Sequence, residues 1–187
     1  MGKFFKRIFI TLLTACVLFF CVGCSINTKA IVKDINENTN LEIGLLTRVE
    51  DGLFDEKYDT IPGFGITGYF DKKYGDNYQE NSDAIDACSV IYHVTSYPDV
   101  ILGKECVTGI AVTDPLIQVY GFSVGDSVAE METFLLDNGY KNFDDANRLK
   151  KFKKGKVQIR IGINYEEQKI RSIYVGVDST NITCAIF

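Results

Sequence analysis

The sequence predicts an α+β fold in which an antiparallel meander sheet is packed by helices on one face. Three observations predict it. Residues 127–138 carry a capped, amphipathic helical pattern. Three strand-type runs follow between 148 and 177, joined by short turns, and two more lie at 89–96 and 105–113. Short turns between neighbouring strands imply antiparallel pairing.

The chain opens on Lys3, Lys6 and Arg7, followed by an almost wholly apolar run from Ile8 to Phe20. A basic head, a short apolar stretch and small residues at a cleavage point make a secretory signal. The run is shorter than the roughly 20 residues that span a bilayer. Residues 1–23 are therefore excluded from the fold. Gly23-Cys24 resembles the bacterial lipobox, which ends in a small residue and an obligatory cysteine, although Cys21 stands where leucine is usual. The resemblance implies cleavage before Cys24 and lipidation of its thiol. Two or more acyl chains, as in bacterial lipoproteins, make a stable membrane anchor.

Residues 24–40 are predicted to be the lipidated cysteine and a flexible, Asn-rich tether reaching about 20–25 Å. A single domain is expected over 41–187. Its first part holds seven aromatics, Phe54, Tyr58, Phe64, Tyr69, Phe70, Tyr74 and Tyr78. Residues 66–74 are predicted as a short helix, 75–83 as a polar loop and 84–88 as a helical turn. From Ser89 to Ser96 the chain alternates, with Val90, Tyr92 and Val94 on one face and His93 on the other. Pro98 marks a turn, because its ring fixes φ and removes a donor. Glu105–Thr113 is a second strand. Ser127 and Glu130 form a capping-box pair, Val128, Met131, Phe134 and Leu135 make one apolar face, and Gly139 suits the left-handed cap. Strands are then expected at 148–153, 157–163 and 170–177. In the second, Val157, Ile159, Ile161 and Ile163 alternate with Gln158, Arg160 and Gly162, the pattern of a sheet with one wet face. The predicted core is Val128, Met131, Leu135, Ile159, Ile161, Ile173 and Val175.

VTGIAV at 107–112 aligns with IRSIYV at 170–175. This suggests two tandem helix-plus-strands units, 54–114 and 120–177, with a helix near 67–75 as the counterpart of 127–138. The stretch Phe122-Ser-Val-Gly125-Asp-Ser127-Val-Ala-Glu130-Met131 resembles the helix start shared by two bacterial groups. These are the β-lactamase-inhibitor-protein-like fold and the small lipoprotein subunit of the outer-membrane β-barrel assembly machine. The resemblance spans about 120–177, with a fainter echo in 60–113, and implies tandem helix-plus-sheet units and a binding style of function. It transfers no active residues.

Residues 1–23 hold three of the 20 basic residues and none of the 25 acids, so the remainder carries 17 against 25, a formal charge of −8. That disfavours nucleic acid and electrostatic docking on anionic lipid. Cys88, Cys106 and Cys184 remain after the signal and Cys24 are set aside. They read as small buried apolar residues. Antiparallel pairing of 89–96 with 105–113 places Cys88 near 112–114, about 20 Å from Cys106. No bridge between them is expected, because a disulfide needs Cα atoms within about 7 Å.

Gly121-Phe122-Ser123-Val124-Gly125 fits G-x-S-x-G, yet a hydrolase of that type needs a histidine downstream, and His93, the only histidine, lies upstream. The pattern reads as a strand-to-helix turn. His93 reads as an exposed or hydrogen-bonded strand residue. Asp76, Asn77, Glu80, Asn81, Asp83 and Asp86 lack EF-hand spacing and read as a solvated loop. No metal or cofactor is expected.

The sequence therefore predicts a lipid-anchored, non-catalytic binding module on the extracytoplasmic side of the cell membrane. Cys24 is the lipid site. Tyr69, Phe70, Tyr74 and Tyr78 are the candidate surface for a protein or glycan partner, the alternative being that these rings pack the core. Alternative functions are an envelope assembly factor or inhibitor-like regulator, and a small wall-acting enzyme using carboxylates.

Overall fold

A computed structural model of the chain describes residues 28–54, 58–63, 66–71, 90–96, 105–146 and 148–178. The signal segment, Cys24, Cys88, Cys184 and the predicted features at 75–88 lie outside these residues. Two helices are described, α1 (28–37) and α2 (Val128–Asp137). Eight strands are described. The first four are β1 (Tyr58–Gly63), β2 (Ile66–Asp71), β3 (Val90–Ser96) and β4 (Glu105–Val112). The others are β5 (Lys141–Ala146), β6 (Leu149–Lys154), β7 (Val157–Asn164) and β8 (Lys169–Val177).

All eight strands form one antiparallel sheet in the order β1-β2-β3-β4-β8-β7-β6-β5. Two four-stranded meanders thus meet at their last strands, and a helix precedes each. This corrects the expected α+β class, because the molecule is predominantly β. Residues 66–71 are strand, not helix, and β1 and β5 add two strands that the sequence does not announce.

The core lies on one face of the sheet. Register places Tyr69, Tyr92, Ile110, Val175, Ile159 and Phe152 in one inward row, and Val90, Val112, Ile173 and Ile161 in the next. All seven predicted core residues are buried. Ser127 caps α2 by accepting a hydrogen bond from the Glu130 amide at 3.4 Å. Val128, Met131 and Leu135 face the sheet. Lys150 extends from the sheet to Glu132 of α2 at 2.7 Å, and that hydrogen bond raises the lysine's pKa.

The expected tether is corrected from residue 28 onward. Ile31, Val32 and Ile35 of α1 are buried in the same core as α2, an i, i+1, i+4 stripe that lies on one helix face. The asparagines that suggest a solvated linker instead hold backbone groups. Asn36 accepts from the Leu45 amide at 2.8 Å and donates to the Leu45 carbonyl at 3.0 Å. Asn40 accepts from the Gln118 amide at 2.6 Å and donates to the Leu116 carbonyl at 3.0 Å. Two side-chain amides thus pin α1 to the segment that follows it and its exit to the distant loop at 116–118.

Candidate functional site

Of the four aromatics predicted to form an interaction surface, Tyr69 is half-buried and packs against the core. Its ring stacks on Phe54 at 4.0 Å and 7°. Phe54 in turn meets Tyr58 and Tyr92. Tyr69 is therefore removed from the surface and assigned to the core margin. The Phe70 backbone pairs with Ile91, and its side chain lies outside the described residues, as do Tyr74 and Tyr78.

The G-x-S-x-G segment is built from turns. Val119 and Phe122 exchange backbone hydrogen bonds at 2.8 and 3.0 Å around Tyr120 and Gly121. Both central residues have positive φ, 55° and 79°, as a two-residue turn of the I′ type requires, and glycine takes that conformation without a Cβ penalty. Asp126 Oδ2 accepts from the Ser123 amide at 2.7 Å and from its hydroxyl at 3.1 Å. Ser123 thus closes the approach to α2. The Tyr120 hydroxyl donates to Asp34 at 2.7 Å and lies 3.2 Å from the Tyr140 hydroxyl, joining this turn to α1. Burial pushes Tyr120 and Tyr140 upward, Tyr140 to about 12.

The remaining side-chain chemistry sits on the outward face of the sheet, opposite the helices. Register draws two rows across it. One contains Ile91, Ala111, Tyr174, Arg160, Lys151 and Asp144. The other contains Gly68, His93, Gly109, Gly176, Gln158 and Lys153. The Tyr174 ring lies over the two central glycines, and a Cβ on Gly109 would stand 2.5 Å from its hydroxyl oxygen. The ring occupies space that only glycine leaves open. Arg160 stacks above the ring, its guanidinium carbon 4.9 Å from the centroid. His93 meets the ring edge-on at 5.9 Å.

His93 is only 7% exposed, which corrects the exposed half of the expectation of an exposed or hydrogen-bonded histidine. It lies on the side opposite Val90, Tyr92 and Val94, as the alternation predicts, but the cover from β8 closes that side. Burial, and then the charge of Arg160, lower its pKa from 6.5 to about 4. The imidazole is neutral at pH 7.

Cys106 is buried and unbridged, and burial raises its thiol to about 11, which suits an inert packing residue. It stands opposite Thr95, while Val90 stands opposite Val112. This is the antiparallel register from which the Cys88–Cys106 separation follows, with Cys88 itself outside the described residues. Among the described residues, no three His, Cys, Asp or Glu side chains group as metal ligands, and no helix is long and apolar enough to cross a membrane.

One recess of about 290 Å³ lies at the β7–β8 turn, bounded by Arg148, Ile163, Asn164, Tyr165, Glu166 and Arg171. Tyr165 is 63% exposed. Arg171 sits where the β7–β8 register shifts, between Gly162 and Ile163 on the facing strand, so the irregularity aims it away from the regular rows. Two guanidinium groups, a carboxylate and a ring line this space. They supply charge-assisted donors and a stacking surface. None of these residues is singled out by the sequence, where Arg148 and Arg171 look like ordinary strand-end charges.

No protein-family model and no curated protein matches the chain. Among solved structures, the chain is similar to an extracellular protein containing a SCP domain from Bacillus anthracis str. Ames, at 10% identity and a TM-score of 0.46. The similarity covers 73% of this chain and 45% of that one, so the chain spans less than half the length of that protein.

Proposed function

We propose that the chain is a lipid-anchored, non-catalytic binding module held at the extracytoplasmic face of the cell membrane. The signal pattern of residues 1–23 and the Gly23-Cys24 pair support the anchor. The recess between Arg148, Tyr165 and Arg171 carries the binding reading. Its groups hold a ligand by charge, hydrogen bonds and ring contact, and they are displayed at a turn. In this reading the lipid keeps the domain at the envelope while the recess and the outward sheet face meet a protein or glycan.

Two measurements test it. Cys24→Ser should abolish metabolic fatty-acid labelling, and unchanged labelling would remove the anchor. Envelope proteins and wall glycan fractions should be retained by the full chain and lost by the Arg148→Ala/Arg171→Ala pair. Turnover of wall material that a single carboxylate substitution abolishes would overturn the non-catalytic reading.

A further inference from the structure

Four cations stand in the two outward rows of the sheet: Lys141 is exposed on the edge strand β5, Lys151 and Lys153 are neutralised, and Arg160 is the fourth. Lys151 meets Asp144 at 2.6 Å and Lys153 meets Asp178 at 2.8 Å. Arg160 stands opposite Lys151 of β6 on one side and Tyr174 of β8 on the other. Among the described residues it meets no carboxylate. Its Nη2 donates to the neutral Gln158 Oε1 at 3.2 Å. Its Nε is closed off from solvent and has no acceptor. Among the described residues its Nη1 makes no hydrogen bond.

A ring face offsets only part of a cation's desolvation, and a half-buried charge gains more from an ionised partner. The surroundings already favour an anion. Lys151, opposite Arg160 in the register, already holds Asp144, so that carboxylate is engaged elsewhere. Gln158 spends its oxygen on Arg160 and keeps two amide N–H donors. The Tyr174 ring, seated on Gly109 and Gly176, lies against the guanidinium, whose carbon is 4.9 Å from the ring centroid.

We propose that Arg160 anchors a binding site for an oxyanion, a carboxylate or phosphate group, on the outward face of the sheet. The anion takes the free Nη1 edge, and the Gln158 amide supplies a neighbouring donor. The site is separate from the Arg148–Arg171 recess and does not depend on the lipid anchor. It uses the planar, permanently charged donor set for which arginine differs from lysine.

The test is a titration of the full chain in detergent with acetate and with inorganic phosphate. Each is run at constant ionic strength against chloride. The probe is the Arg160 Nε–H resonance, assigned by its loss in Arg160→Lys. The expected result is a saturable shift with acetate or phosphate, and whichever saturates at lower concentration identifies the source of the oxyanion. A bound anion also offsets the field of Arg160 on His93, so the histidine titration midpoint should rise in the same experiment. Arg160→Gln should weaken binding roughly tenfold or more, whereas Lys153→Gln should leave it in place. A linear drift identical to that in chloride overturns the proposal, as does saturation unchanged in Arg160→Gln. The wild-type titration decides the question alone if Arg160→Gln does not fold.

Discussion

Replacing His93 with phenylalanine should flatten the acid limb of the protein's stability curve. The folded imidazole titrates near 4 instead of 6.5, first because it is buried and second because Arg160 is nearby. Between those values the unfolded chain binds a proton that the folded chain excludes. Stability therefore falls as the pH drops from 6.5 towards 4, and the contribution is fully present above 6.5. Each tenfold change in proton affinity is worth about 1.4 kcal/mol, so the full span costs about 3 kcal/mol. Phenylalanine keeps the ring against Tyr174 and removes the proton site. Urea titrations of both proteins at pH 7.5 and 4.5 measure the difference. Wild type should lose about 2–3 kcal/mol more than His93→Phe between the two values. Equal losses would refute the buried, neutral histidine. Because Arg160 is the second cause, Arg160→Gln should also move the His93 midpoint upward in a proton NMR titration.

Two packing substitutions test the core and the corrected N-terminal segment. Leu135→Ala removes a fully buried side chain from α2, and Ile35→Ala does the same in α1. Each should cost about 2–5 kcal/mol in denaturant titration, and a cost near zero for Ile35→Ala would return 28–37 to the status of a tether. Gly109→Ala drives a Cβ into the Tyr174 hydroxyl and should cost about 1–3 kcal/mol. Unchanged stability together with an unchanged His93 ring environment by NMR would mean that Tyr174 does not lie over this glycine.

The C-terminal half of the fold was legible because its strands are half-buried and its helix is capped in a local motif. Val157, Ile159, Ile161 and Ile163 alternate with more exposed residues, and Ser127 with Glu130 marks where α2 begins. β5 carries no such signal. All six of its residues are exposed, so neither face shows a period of two. What makes it a strand is its backbone pairing with β6, an edge position that charged residues and a register irregularity suit. The helix at 28–37 was hidden for a different reason. Its asparagines match the composition of a linker, and composition does not reveal that Asn36 and Asn40 satisfy backbone groups of Leu45, Leu116 and Gln118.

The outward face shows where periodicity stops being informative. Alternation assigns a side chain to one side of a sheet, and it assigned His93 and Arg160 correctly to the side away from Val90 and Ile159. It does not say what lies over that side. The cover over His93 comes from Tyr174, which is 81 positions further along the chain, and Tyr174 can lie flat only because Gly109 and Gly176 face each other across the β4–β8 seam. In the sequence these are two unremarked glycines, a tyrosine and an arginine on three strands. Only the register joining β4 to β8 and β8 to β7 brings them together, and that seam is a non-local pairing with no signature in any short window. The same register makes Arg160 unusual. Lys151, Lys153 and Arg160 are equivalent outward cations in the alternating pattern, and they become different only once Asp144 and Asp178 are placed beside two of them.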